Sequence, residues 1–142
     1  MKARKPSYST TVSRRLILPL IALLAVTPRL SSADGPDGAK IYTDTCAVCH
    51  QVDGAGVPTA FPALKGAPIV AGDADTVIKI LLVGPVKVLP PDSPKYSGQM
   101  PPITLSDAKI AAVISYVRSK FGNGASAVDE DEVTKVRATL TP

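Results

Sequence analysis

The sequence predicts an all-α domain wrapped in long loops, and three observations carry that prediction. Apolar residues recur at intervals of three and four near 38–49, 73–84 and 106–121, the period that places side chains on one face of a helix. Glycine- and proline-rich runs lie between those stretches and interrupt any long regular element. No strand signal of comparable strength is present, and no internal repeat.

The chain begins with a segment unlike the rest. Lys2 to Arg15 form a basic stretch, Leu16 to Val26 an apolar run of 11 residues, and Ser31-Ser32-Ala33 a set of small residues. That order reads as a secretory signal over residues 1–33, cut after Ala33. A bilayer-spanning helix wants roughly 20 apolar residues, and Pro19 and Pro28 shorten this one further. Ser13-Arg14-Arg15-Leu16 partly resembles a twin-arginine signal, which is set aside because a cofactor attached after export needs an unfolded chain in transit. The formal charge of +4 is a property of the leader, which holds six of the 16 basic residues and no acid. Residues 34–142 then carry ten basic against 12 acidic groups, so nucleic-acid binding loses its electrostatic basis. They form one domain, with a core at 38–121 and an extension at 122–142.

Within that domain, Asp37 followed by Gly38 suits the start of a helix, and Ala39, Tyr42, Cys46 and Cys49 share one of its faces, giving a helix over about 38–49. Residues 51–70, with repeated Gly and Pro, read as a loop that wraps something. Asp73 or Asp75 can cap a second helix, with Val77, Ile80 and Leu81 as its stripe and Gly84 at its end. Six prolines between Pro85 and Pro102 make a second wrap. Ser106 suits the cap of the third helix, with Leu105 and Ile110 placed as a hydrophobic staple. Ile110, Val113, Ile114 and Val117 continue its period toward Phe121, and Gly122 stops it. Acids from Asp129 to Glu132 and bases at Lys135 and Arg137 match the dipole of a short final helix. The extension is placed either to cover an edge of the core or to touch a partner, with Asp129 to Glu132 as solvated charge.

The chemistry lies in Cys46-Ala47-Val48-Cys49-His50, the CxxCH signature of covalent haem attachment. Two thiols three positions apart on one helical turn can each add to a haem vinyl group, while the next residue offers an imidazole to the iron. A zinc site wants four ligands, and residues 34–142 offer no further Cys or His. A redox CxxC wants a βαβ setting that is absent, and a plain disulfide leaves His50 idle. The expected cofactor is one haem c with its iron, bound through Cys46 and Cys49. His50 is the only histidine, which excludes a bis-histidine iron within one molecule. Met100 is the only methionine after the leader and sits in Gly98-Gln99-Met100-Pro101-Pro102, a proline-stiffened loop rather than a helix face where a core methionine would lie. It is the candidate sixth ligand, and a His/Met pair raises the reduction potential.

Residues 38–121 resemble a class I cytochrome c. The resemblance rests on Gly38, Tyr42, CxxCH at the end of the first helix, Phe61-Pro62-Ala63-Leu64, Met100 on a late loop and Tyr116 in the last main helix. It implies the cytochrome c fold of three main helices plus a short C-terminal helix, with Gly38 and Tyr42 crossing Tyr116. It also implies that Pro62 gives its carbonyl to the axial imidazole, fixing the ring and raising its basicity, and that Leu64 lines the haem face with Phe61 near it. The stretch from Met100 to Asn123 resembles small periplasmic cytochromes serving dehydrogenases, oxidases and denitrification enzymes. The segment Val83 to Lys95 matches no such motif.

An iron held by His50 and Met100 leaves no open position for substrate, and no nucleophile or acid–base pair stands out, so the chain is expected to be no enzyme. The expected function is a periplasmic one-electron carrier, free or as the cytochrome subunit of a dehydrogenase or oxidase system. Its expected partners are redox donors and acceptors, namely a dehydrogenase, a reductase or a terminal oxidase, with membrane contact only if the leader is uncleaved. Docking should be weak and small in area. Two alternatives differ in class: a haem enzyme or gas sensor with an open sixth site, and a membrane-tethered cytochrome anchored by residues 16–26.

Overall fold

Asp37 starts the first helix as its sequence suggests: Oδ1 accepts from the backbone N–H groups of Ala39 at 2.9 Å and Lys40 at 3.1 Å. The computed structural model describes residues 35–140; the predicted leader at 1–33 lies outside them. Helix α1 (Gly38–Ile41) runs into a π-helical turn at Tyr42–Cys46 and continues as α2 (Ala47–His50). The sequence reading of one plain helix over 38–49 therefore misses an insertion, marked by the Ala47 N–H donating to the Tyr42 carbonyl.

Residues 51–70 are mostly irregular, but Pro68 opens a single turn, α3 (Pro68–Ala71), from the first helical position where its missing N–H costs nothing. Helix α4 (Ala74–Val83) is capped by Asp73, whose Oδ2 accepts from the backbone N–H and the hydroxyl of Thr76 at 2.8 and 2.7 Å. It ends at Gly84 in the left-handed region (φ 83°). A 3₁₀ turn at Pro85–Lys87 follows.

Helix α5 (Asp107–Ser119) differs from expectation at both ends. Ser106 occupies the capping position in extended conformation, yet its hydroxyl makes no capping hydrogen bond. The helix also stops before Phe121, which turns left-handed (φ 57°). The reason is tertiary: the Phe121 ring packs tilted against Tyr42 (centroids 5.3 Å apart) and edge-on against Tyr116 (5.9 Å), and its carbonyl accepts from the Gly66 N–H at 3.1 Å. Helix α6 (Glu130–Leu140) starts with a reciprocal capping box, the Asp129 N–H donating to Glu132 and the Glu132 N–H to Asp129, both at 2.8 Å. Among the described residues there is no strand, only an isolated bridge between Val57 and Phe61, and no helix is long and apolar enough to cross a membrane.

Helix α5 is the hub, touching α1, α3, α4 and α6. One apolar cluster joins Val77 and Ile78 of α4, Ile110, Ala111 and Ile114 of α5, and Val133 and Val136 of α6. The other joins Tyr42, Val70, Val113 and Val117, with Cys46, Leu64, Tyr116 and Phe121 packed against it. Helices α1 and α5 cross so closely that a Cβ on Gly38 would collide with the carbonyl of Ala112 and stand 3.0 Å from the Tyr116 Cβ, which is the crossing that the resemblance implies. Arg118 is buried on α5 without a carboxylate: it donates to the carbonyls of Val70 (2.7 Å), Gly72 (2.9 Å) and Ser126 (2.8 Å), joining three segments. The extension lies over α4 and α5. Val133 and Val136 face inward, and Asp107 at the start of α5 accepts from Thr134 (2.8 Å) and Arg137 (2.7 Å).

Candidate functional site

The CxxCH sequence closes the first helical rod, so its side chains inherit the orientation of a helix end. His50 is buried at 8% exposure, and its Nδ1 lies 3.0 Å from the Pro62 carbonyl oxygen. A carbonyl can only accept, so Nδ1 carries the proton and donates to Pro62, which in the neutral ring leaves the lone pair on Nε2. A fixed ring with an unprotonated Nε2 is the form in which imidazole binds a metal.

The turn after His50 is built to hold that geometry. The Gly56 N–H donates to the His50 carbonyl at 3.0 Å. A Cβ on Gly56 (φ 66°) would stand 2.5 Å from the Phe61 carbonyl oxygen and 2.6 Å from that of Pro62, so only glycine lets the Pro62 carbonyl in. From the other side, the Tyr42 hydroxyl donates to the Gln51 carbonyl at 2.6 Å and pins a non-glycine residue in left-handed conformation (φ 62°). Burial pushes the Tyr42 phenol up to about 12, so it remains a donor at ordinary pH.

Cys46 and Cys49 are both half-buried and not bonded to each other. Burial first, and then the neighbouring Cys49, pushes the Cys46 thiol up to about 11. A redox-active CxxC needs a lowered thiol, so this environment does not suit thiol–disulfide exchange. Among the described residues no group of three or more His, Cys, Asp and Glu is placed to hold a metal ion. The donor set instead fits a haem: two free thiols three positions apart, an oriented imidazole next to them in sequence, and apolar residues packed against Cys46. Leu64 packs with Cys46 against the cluster under the CxxCH helix, and its N–H donates to the Gly54 carbonyl at 2.8 Å.

Thus His50 and Pro62 are in direct contact, and Cys46 and Leu64 share a cluster. Met100 lies on a separate loop, half-buried, its carbonyl oxygen 3.3 Å from where a Cβ on Gly84 would stand. The Phe61 ring is turned toward Gly98 of that loop. Sequence reasoning missed Gly56 and the Tyr42 hydroxyl. The signal for Gly56 was present in the run Gly54-Ala55-Gly56, three residues beyond CxxCH, whereas nothing local marks Gln51 as left-handed. On the solvent side of the motif, Val48 and Val52 are 78% and 76% exposed.

The sequence model of the cytochrome c family matches residues 36–120. Cytochrome c-552 of Thermus thermophilus is 40% identical over 117 residues, covering 75% of this chain and 88% of its own length. The cytochrome c subunit of the quinone alcohol dehydrogenase of Gluconobacter oxydans (strain 621H) is 36% identical over 113 residues, 76% of this chain and 23% of that protein. The gluconate 2-dehydrogenase cytochrome c subunit of Pantoea cypripedii is 32% identical over 118 residues, 76% of this chain and 25% of that protein. The chain therefore spans about a quarter of the dehydrogenase subunits that it matches. With its all-α fold and its CxxCH helix, the chain belongs to the cytochrome c family, electron-transfer proteins whose covalent haem c the Cys46 and Cys49 spacing is made to take.

Proposed function

We propose that this chain is a periplasmic one-electron carrier with axial ligands His50 and Met100, Cys46 and Cys49 as the covalent anchors, and Pro62 and Leu64 as supports of the site. The observation that carries the reading is the buried His50 ring with Nδ1–H donated to the Pro62 carbonyl at 3.0 Å. The haem supplies a ferric/ferrous couple, whose potential is set by axial ligand, burial and hydrogen bonding. His50 presents Nε2 in a fixed direction, and Met100, on a loop stiffened by Pro101 and Pro102, supplies the thioether. With both positions filled, the chain binds no substrate at iron and is no enzyme by itself. Exposed Val48 and Val52 beside the attachment site offer an apolar contact for brief encounters with redox donors and acceptors, of the dehydrogenase, reductase or terminal oxidase kind. The relatives that are dehydrogenase cytochrome subunits support that partner class, and the leader at 1–33 supports export.

The test is the optical spectrum of the ferric holoprotein matured in a host competent for covalent haem attachment. A far-red thioether-to-iron band is expected, and Met100→Leu should abolish it. A high-spin wild type with rapid carbon monoxide binding, or a band that survives the substitution, overturns the ligand assignment. N-terminal sequencing of the native protein should find Asp34 first, and an intact leader would favour the tethered form.

A further inference from the structure

We propose that Phe61 and Gly98 form a latch that holds the Met100 loop against the segment supporting His50, so that both are positioning residues for the sixth ligand. The inference rests on the His50/Met100 reading above and adds to it a pair of residues that act on Met100 through the backbone of its loop.

Consecutive residues of one strip engage both sides of the site. The Ala60 carbonyl accepts from the Gly98 N–H at 3.0 Å, one residue along from the Thr59 carbonyl, which accepts from the Ser97 N–H at 2.9 Å. The Phe61 ring lies where a side chain on residue 98 would stand: a Cβ there would fall within contact of two ring carbons and 2.8 Å from the Ala60 carbonyl oxygen. The Pro62 carbonyl takes the His50 proton. The strip is itself held, because the Phe61 N–H donates to the Val57 carbonyl at 2.8 Å and the Val57 N–H to the Phe61 carbonyl at 2.9 Å.

Met100 is two residues beyond the latch. On its far side the Ile103 N–H donates to the Leu81 carbonyl of α4 at 2.7 Å. Between these two moorings, Pro101 and Pro102 fix φ and bias Met100 itself to extended backbone. A short, stiff span moored at both ends transmits a shift at residue 98 to residue 100 with little slack. Gly98 therefore owes its identity to the ring above it: any Cβ lifts the loop away from the strip, or tilts the ring and with it the strip under His50.

The experiment compares Gly98→Ala, Phe61→Ala and the double variant with wild type, each as purified holoprotein, by ferric far-red absorbance per haem and ferrous carbon monoxide binding rate. Val133→Ala, on the α6 side of the aliphatic cluster and away from residues 98–100, reports general loss of stability. Gly98→Ala should lose at least half of the band and bind carbon monoxide about tenfold faster or more. Phe61→Ala alone should move both readouts in the same direction but less, and the double variant should be milder than Gly98→Ala because the obstructing ring is gone. Wild-type band and rate in Gly98→Ala, or effects no larger than those of Val133→Ala, overturn the latch. If Gly98→Ala yields no holoprotein, unchanged readouts in Phe61→Ala overturn it by themselves. A wild type without the far-red band would instead defeat the ligand reading, so the two failures are distinguishable.

Discussion

The cluster shared by α4, α5 and α6 closes on itself, with Ile78, Ile110 and Val133 fully buried among other aliphatic side chains. The side of the molecule that carries CxxCH is built differently. Between Gln51 and Ala67 only Gly54 is buried, and from Pro85 to Leu105 no residue is. These loops are held by backbone hydrogen bonds, such as those to the Gly54, Val57, Thr59 and Ala60 carbonyls, and by contacts of half-buried side chains. Helix packing thus closes one half on itself, while in the other the helices share the Tyr42 cluster and the loops bury few of their own apolar groups. A covalent haem would give the apolar side chains of these loops, such as Phe61, Leu64 and Leu89, a surface to pack on, and would so be part of the second half's core as well as its chemistry.

The contrast is broken most strongly by removing the anchors. Cys46→Ala with Cys49→Ala should leave no haem on a denaturing gel. By hydrogen exchange, amides at 51–67 and 88–104 should lose about 100-fold or more of their protection relative to holoprotein, while α4 and α5 keep part of theirs. Loops as protected as in the holoprotein would contradict the division.

The next largest effect comes from the opposite half. Ile110→Ala opens a cavity in the aliphatic cluster and should cost about 2–5 kcal/mol in denaturant unfolding. Its far-red band should stay closer to wild-type strength than that of Gly98→Ala, because the cluster meets the Met100 loop only beyond Pro102, where Ile103 is moored on Leu81. A variant that loses band and stability together would show the halves to be coupled.

The smallest effect is expected at the seam with α6. Hydrogen bonds from Thr134, and then from Arg137, hold the Asp107 carboxyl below its ordinary value of 3.8. A lowered folded-state value means that the folded protein prefers the carboxylate, so this contribution is complete above about pH 4 and fades as pH falls further. Asp107→Asn should cost about 1 kcal/mol or less at pH 7 and flatten the acid limb of the stability profile. An acid limb identical to wild type would place the acid sensitivity elsewhere.

How much was legible in the sequence follows the same division. The caps at Asp37 and Asp73 and the glycine stop at Gly84 are local devices, and the structure uses each of them. The apolar stripe of α5 was readable because an amphipathic period is a property of the segment itself. The misses are set by tertiary demand. Phe121 leaves the helix early to join Tyr116 and, far away in sequence, Tyr42, and the Ser106 hydroxyl makes no capping bond although its residue type suits a cap. Arg118, which no sequence pattern singles out, is buried among three carbonyls, two of them from a segment far away in sequence. At the candidate site, spacing alone pointed to Cys46, Cys49 and His50, and the family resemblance to Pro62, whose contact with His50 is present at 3.0 Å. Gly98 stood in view beside Met100, but its role depends on a ring 37 positions earlier that no local pattern connects to it.

The π turn at Tyr42–Cys46 sets the angular phase of the rod. Each α-helical residue advances about 100° around the axis, so an inserted residue rotates everything downstream of it. The turn therefore sets the phase of Cys49 and His50 relative to Gly38, whose close approach to α5 lies upstream of it. Shortening the turn by a single residue would swing the attachment cysteines around the barrel of the helix while leaving its crossing with α5 untouched.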